Sequence, residues 1–279
     1  MSSGGGMPPP TAALPWNPTM NTDTTLAPDV SDDVDTGSAQ ADNATPPASW
    51  PMLYRRPVIL SSQLHAHWRV RQTGAAFAAG SHSIPLMIGE FAEASRAYPL
   101  VFAGPDHLPL AVLGLEAGQN RFVIADQWQA GAYIPAYVRR YPFVFARTTD
   151  PDGYVLAIDA DADMVVQEGE QGQPLFEGDQ PSAMTRHALQ FCDAFTREDI
   201  ATRAFTAALA EAGVLIERQA DVVLADGRRH SLQGFHVVDP ARLDALPDAT
   251  LVHWHRQGWL APVYFHLASL GRFADLATG

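Results

Sequence analysis

Short apolar runs broken by turn residues fill the middle of the chain, and a helical spacing of apolar positions takes over after Ser182. Pro57 to Val70 alternates loosely and predicts one or two strands leading into a loop around Gly74. Ile88 to Ala97 predicts a short helix with Phe91, Ala94 and Ala97 on one face, stopped at Tyr98 because Pro99 disfavours helical backbone before it. Leu100–Ala103, Leu110–Leu115 and Arg121–Ala125, separated by turn residues at Gly104-Pro105-Asp106 and Gly118-Gln119-Asn120, predict an antiparallel meander. Gly131 to Arg140 again reads as a helix, stopped at Tyr141-Pro142 before a strand at Phe143–Ala146 and another at Tyr154–Ile158.

The segments Ala97-Tyr98-Pro99-Leu100-Val101-Phe102-Ala103 and Arg140-Tyr141-Pro142-Phe143-Val144-Phe145-Ala146 differ at two positions. Either a helix–strand–turn–strand unit is repeated, or proline is used twice as a helix stop before a buried strand. Downstream, Ser182 is a candidate N-cap for a helix through Met184, Ala188, Phe191, Cys192 and Phe195. A polar stretch at Thr196–Asp199 leaves open whether Phe205 and Leu209 continue that helix or begin a second, ending at Gly213. Val222 to Phe235 carries an Asp226-Gly227 hairpin signal. Asp239-Pro240 opens a short helix ending near Pro247, and Ala249–Gln257 and Leu260–Leu270 predict two more. The pattern sums to an α+β fold: antiparallel sheet in meanders and hairpins, then a mainly helical C-terminal half.

Residues 1–50 follow neither period. They hold eight prolines, six aspartates, no basic residue and only Trp16 and Trp50 as aromatics, the composition of a disordered tail. The expected organisation is therefore a tail over 1–50 and one folded domain over 51–279. The start has neither a basic nor an apolar signal region, and Met20 and Met52 are alternative initiation points. No run of eighteen apolar residues predicts a membrane span, so a cytoplasmic protein is expected.

The net charge of −13 disfavours nucleic acid as a partner. All 18 basic residues are arginine, which excludes lysine Schiff bases and a lysine-bearing P-loop. One cysteine, Cys192, excludes an internal disulfide and Cys-rich zinc sites, and its apolar neighbours predict an inert buried thiol. No GxSxG, HExxH, GxGxxG or GxxxxGK[ST] occurs. Asp159, Asp161, Asp163 and Glu170 fall at calcium-loop positions 1, 3, 5 and 12, but Met164 stands where that loop needs glycine, so an acidic solvated loop is the expected reading. His65/His67 and His253/His255 invite a metal, yet lack a carboxylate at suitable spacing, and ordinary surface or core-edge histidines are expected. No catalytic residue, metal or cofactor is therefore assigned.

Tyr133-Ile134-Pro135-Ala136-Tyr137-Val138-Arg139-Arg140-Tyr141-Pro142-Phe143 differs in kind. Its tyrosines and paired arginines are residue types that anchor interfaces and clamp carboxylates. With Trp128, the residues Tyr133, Tyr137, Arg139, Arg140 and Tyr141 are the candidate binding residues; the alternative is that both arginines merely pair with surplus carboxylates.

YIPAYVRRYPFVFA, with EFAEASRAYPLVFAG, AVLGL and NRFVIADQW upstream and PLFEGD, GFHVVD, RLDALP and GWLAPVYFHLASLGRF downstream, resembles the SapC family of bacterial proteins from about Leu53 to Phe273. The resemblance implies a role linked to secretion of surface-layer proteins. Family members tend to be encoded beside TonB-dependent receptors and tryptophan-halogenase-like proteins, which implies a surface uptake or modification system. Where the family often has Cys-Ile-Asp-Glu, this chain has Ala157-Ile158-Asp159-Ala160, so a thiol role there is absent. The expected function is a non-catalytic accessory protein binding a protein or peptide partner, with an oxygenase-like metal enzyme as the alternative and the oligomeric state open.

Overall fold

The computed structural model describes residues 51–148, 153–223, 227 and 229–278; the predicted tail and the Asp226 turn position lie outside them. The first half holds β1 (Pro57–Ile59), β2 (Arg69–Val70), β3 (Ser83–Pro85), a 3-10 turn (Ile88–Glu90) running into α1 (Phe91–Ala94), β4 (Leu100–Ala103) and β5 (Leu108–Val112). There follow β6 (Val123–Ile124), β7 (Gln127–Trp128), α2 (Ala136–Arg140), β8 (Phe143–Arg147), β9 (Tyr154–Asp159), β10 (Val165–Val166), β11 (Gln173–Pro174), β12 (Phe176–Glu177) and β13 (Gln180–Pro181). The remainder is α3 (Ala183–Glu211), β14 (Leu215–Val223), β15 (Arg229–Val238), α4 (Pro240–Asp244), α5 (Asp248–Gln257), α6 (Leu260–Ser269) and α7 (Phe273–Thr278). The α+β class with antiparallel pairing is as expected.

Two sheets dominate: five strands in the order β14-β15-β4-β5-β3, and three in the order β1-β9-β8. The two Tyr-Pro segments play the same part in each. Both lead from a short helix into the first strand of a hairpin, β4–β5 or β8–β9, and in both the second hairpin strand takes an earlier strand on its far side, β3 or β1. The equivalence thus extends to strand pairing, with the whole first unit lying in sequence between β1 and the rest of the second. The Tyr141-Pro142 peptide is cis.

Two predicted elements change. Arg121–Ala125 does not extend the meander; only Val123 and Ile124 pair, and they pair forward with Gln127 and Trp128. Ala125 and Asp126 both have positive φ, 48° and 62°, which reverses the chain in a two-residue turn and leaves the edge of β5 to β3. The helix predicted from Gly131 begins only at Ala136, because Pro135 is extended at ψ 143° and forms the cap position. In the C-terminal half, α3 is one helix of 29 residues, and β14 begins at Leu215, earlier than the hairpin signal indicates. The polar stretch does not break α3: Asp193–Arg197 and Asp199–Arg203 pair one turn apart, and Thr196 Oγ1 donates to the Cys192 carbonyl at 2.9 Å. Gly213, at φ +66°, supplies the left-handed residue that ends the helix.

At about 1.5 Å per residue α3 spans roughly 43 Å, enough to cross both sheets. Its first half buries Ala188 and Cys192 against β8 and β9 in one core; its second half buries Phe205 and Leu209 with Phe91, Leu100 and Phe102 in another. Strand alternation sends Val101, Val112, Phe235 and Val237 to the opposite face of the five-stranded sheet, where α7 covers them with Leu276.

α6 enters the five-stranded sheet directly. β15 and β4 pair Phe235 with Ala103 and His236 with Phe102, a register that sets Val238 opposite Leu100. Instead of bonding to each other, both bond to the His266 ring: Nε2 accepts from the Val238 N–H at 3.0 Å, and Nδ1 donates to the Leu100 carbonyl at 2.9 Å. Ser269 Oγ accepts from the Leu100 N–H at 2.9 Å. This arrangement requires neutral imidazole, and burial at 0% exposure pushes the His266 pKa down to about 4. The unfolded chain then binds a proton between about pH 6.5 and 4 that the folded chain excludes, so this stability is full above the unfolded pKa and is lost as pH falls. A shift of that size corresponds to about 3 kcal/mol. Glu90, raised by burial, acts in the opposite sense. Urea denaturation at pH 7 and pH 4.5 is expected to show a larger stability loss on acidification in wild type than in His266→Gln; equal losses would exclude the imidazole bridge as the cause.

Candidate functional site

The candidate residues are organised by a carboxylate that was not among them. Glu90, 7% exposed, ends the 3-10 turn ahead of α1. Its Oε2 accepts from the Met87 N–H at 2.8 Å, tying down its own turn. Its Oε1 accepts from the Ala136 N–H at 2.6 Å and from the Tyr133 hydroxyl at 3.0 Å, so it also satisfies the first free N–H of α2. Burial raises the carboxyl pKa above its ordinary range, opposed by these three hydrogen bonds and by the Arg139 charge. The sequence signal was a lone acidic residue in the apolar run Ile88-Gly89-Glu90-Phe91.

α2 then delivers the paired arginines. Arg139 is exposed, and its guanidinium lies 5.6 Å from the Tyr133 ring centroid and 5.3 Å from that of Phe191. Its Nη2 donates to the Tyr133 hydroxyl and its Nε to the Ile134 carbonyl, each at 3.0 Å. Arg140 turns inward, 4.2 Å from the Phe195 ring centroid, 4.9 Å from Tyr137 and 5.7 Å from Tyr54. Its Nε is enclosed and has no hydrogen-bond partner. Among the described residues no carboxylate forms an ion pair with either arginine. Tyr54 and Tyr137 supply no countercharge: their hydroxyls donate to the Phe143 and Met52 carbonyls, and burial pushes the Tyr54 pKa up to about 12 and that of Tyr137 higher still.

These side chains border a cleft of about 520 Å³ between α2, the start of α3 and the loop at 71–77. Trp128, Arg139, Arg140 and Tyr141 line it, whereas Tyr133 and Tyr137 stand behind the arginines as supports. Sequence reasoning missed the apolar lining of Phe77, Met164, Met184 and Phe191, contributed by separate segments. Phe77 stacks on Tyr141 at 4.3 Å between centroids, and the Tyr141 hydroxyl donates to Asp159 at 3.0 Å. The loop is held because the Ala75 N–H donates to the Asp126 carbonyl at 2.6 Å; a Cβ on Gly74 would lie 1.9 Å from that same oxygen, so only glycine fits.

Cys192 also reaches the lining, at 2% exposure, and burial pushes its thiol up to about 11, so it stays protonated at neutral pH. Asp159 is not part of a solvated loop: at 0% exposure it accepts from the Arg55 and Arg56 N–H groups and from Tyr141. Asp161 and Asp163 do lie at the surface, facing Arg56 and Arg55 at 2.8 Å and 3.4 Å. His65 sits in a turn rather than a strand; Nδ1 accepts from the Ser61 N–H at 3.0 Å and the ring packs on Trp68. His253 and His255 flank buried Trp254 on α5 and are both exposed. Among the described residues no three His, Cys, Asp or Glu side chains are grouped to hold a metal, and no helix is long and apolar enough to cross a membrane.

The SapC family pattern matches residues 60–276, taking in the cleft and every strand except β1. The chain belongs to the SapC family. No curated protein and no solved structure matches it. The SapC match covers Ala157, the position of the expected cysteine departure, which is fully buried in β9. Glu90→Gln cannot accept at both oxygens and opposes the Met87 N–H with a donor. It is expected to destabilise this SapC chain by about 1–3 kcal/mol in urea denaturation, with Glu90→Ala losing more; no loss would mean that the carboxylate does not hold α2.

Proposed function

We propose that this SapC chain is a cytoplasmic, non-catalytic accessory protein of a bacterial surface-protein secretion or surface-linked uptake system, and that the arginine-lined cleft recognises its protein or peptide partner. One observation carries the reading: adjacent arginines, one exposed and one turned inward, line a concave, largely apolar surface without ion-pair partners among the described residues. Arginine with aromatic neighbours is the composition of an interface anchor. The protonated Cys192 thiol supplies no nucleophile in the cleft, which favours binding over covalent chemistry.

Affinity capture from the native cell tests this. The Arg139→Ala/Arg140→Ala chain, at matched folded stability, is expected to lose at least tenfold of a partner retained by wild type. Retention of that partner at unchanged yield would remove the cleft as the recognition surface.

A further inference from the structure

We infer that the cleft takes a single carboxylate carried on an apolar or aromatic body, with Arg140 as its inward-facing anchor and Arg139 at its mouth. The inference rests on the proposed recognition role of the cleft and names the chemistry recognised there. The protein carries a net charge of −13, yet the lining holds Arg71, Arg139 and Arg140 and neither aspartate nor glutamate. Arg71 is already engaged, donating through Nε and Nη2 to the Asp163 carbonyl at 3.2 and 2.9 Å. Arg139 spends Nε and Nη2 on Ile134 and Tyr133.

Arg140 is different. Three aromatic rings pack around its guanidinium, its Nε bonds to nothing, and the Tyr54 and Tyr137 hydroxyls that interact with it, like the adjacent thiol, are neutral and supply no countercharge. A charge withdrawn from water without a counter-ion is costly, and aromatic faces offset only part of that cost. A planar carboxylate matches the guanidinium fork and completes the pair. Phosphate, which is larger in charge and more strongly hydrated, suits the site less well because Phe77, Trp128, Met164, Met184 and Phe191 make much of its lining apolar. At about 520 Å³ the cleft accommodates one amino-acid-sized acid, whether a free molecule or the last residue of a polypeptide.

Calorimetric titration of the full chain with N-acetylphenylalanine and its amide, and with a phenylalanine-ended pentapeptide as acid and amide, tests this chemistry. Each acid is expected to bind at least tenfold more tightly than its amide. A tighter pentapeptide acid assigns the carboxylate to a chain terminus, and a tighter N-acetyl amino acid assigns it to a small molecule; both uphold the inference. Equal affinity of acid and amide, no binding of either at millimolar concentration, or displacement by equimolar inorganic phosphate overturns it. If capture of the partner is still lost in the double arginine variant, the broader recognition reading survives that failure.

Arg140→Met is expected to lose at least tenfold in acid affinity while unfolding at or above the wild-type temperature, since an apolar side chain replaces an unpaired charge. A marked fall in its unfolding temperature would identify Arg140 as a structural residue and overturn the anchor role. Arg139→Ala, at an exposed position, provides a folded second variant with an expected several-fold weaker acid affinity; unchanged affinity would remove Arg139 from the mouth.

Discussion

A single buried carboxylate joins the two halves of this fold. Glu90 belongs to the turn that begins one helix–strand–strand unit, and its side chain closes the first turn of the helix that begins the other. Helix α2 has only five residues and follows a proline, so it has little stability of its own. What holds it is the bond from the Ala136 N–H to Glu90 together with the packing of Tyr137 and Val138 in the core around Phe91. The same oxygen accepts from Tyr133, whose hydroxyl accepts in turn from Arg139. The cationic side of the cleft is therefore suspended from an anion buried outside its lining. An apolar residue at position 90 would leave three donors without their acceptor.

The two sheets are otherwise tied by α3, and within the five-stranded sheet one corner is completed by a side chain acting in place of a strand bond. His266 bridges Val238 and Leu100 just beyond the paired positions of β15 and β4. Its insertion satisfies both backbone groups and lets α6 lie against the sheet with Phe102 packed on the ring at 4.9 Å. Imidazole is suited to this role because it both donates and accepts along one line while remaining neutral in the core. Lateral continuity of the five-stranded sheet at this corner thus depends on a helix residue nearly thirty positions after the strand it serves.

Legibility in the sequence followed the range of the interactions. The Tyr-Pro helix stops, the Ser182 and Asp239 caps and the β14–β15 hairpin were visible because each is decided by residues a few positions apart. The pairing of β3 with β5 and of β1 with β9 was not, since three-residue strands carry almost no period and their partners lie far along the chain. The polar stretch in α3 was ambiguous for a related reason. Thr196 looks like a helix-breaking residue, but its hydroxyl donates to the Cys192 carbonyl one turn back, and just beyond the stretch Thr202 donates to the Glu198 carbonyl and accepts from the Ile88 N–H, so its polarity serves a distant turn. In the cleft, the arginines and tyrosines stood out as one contiguous motif, whereas Glu90, Phe77 and Met184 are ordinary residues in their own segments and acquire their roles only when the fold brings them together.

The arrangement around Arg140 points to function rather than to stability alone. Several exposed arginines meet carboxylates at short range, as Arg56 does with Asp161, Arg96 with Glu93 and Arg197 with Asp193, while others, Arg71 and Arg186 among them, bond to backbone carbonyls. In a chain with 31 acidic residues, a partner for one more arginine would be easy to supply. Instead the inward-facing guanidinium is surrounded by rings that hold its position without neutralising it, and the buried carboxylates Glu90 and Asp159 are engaged by backbone N–H groups and tyrosines. Glu90 is held by the start of α2 and Asp159 by the backbone leading into β1. The fold uses its buried anions to fix the backbone around the cleft, and among the described residues none of them forms an ion pair with the cation within it.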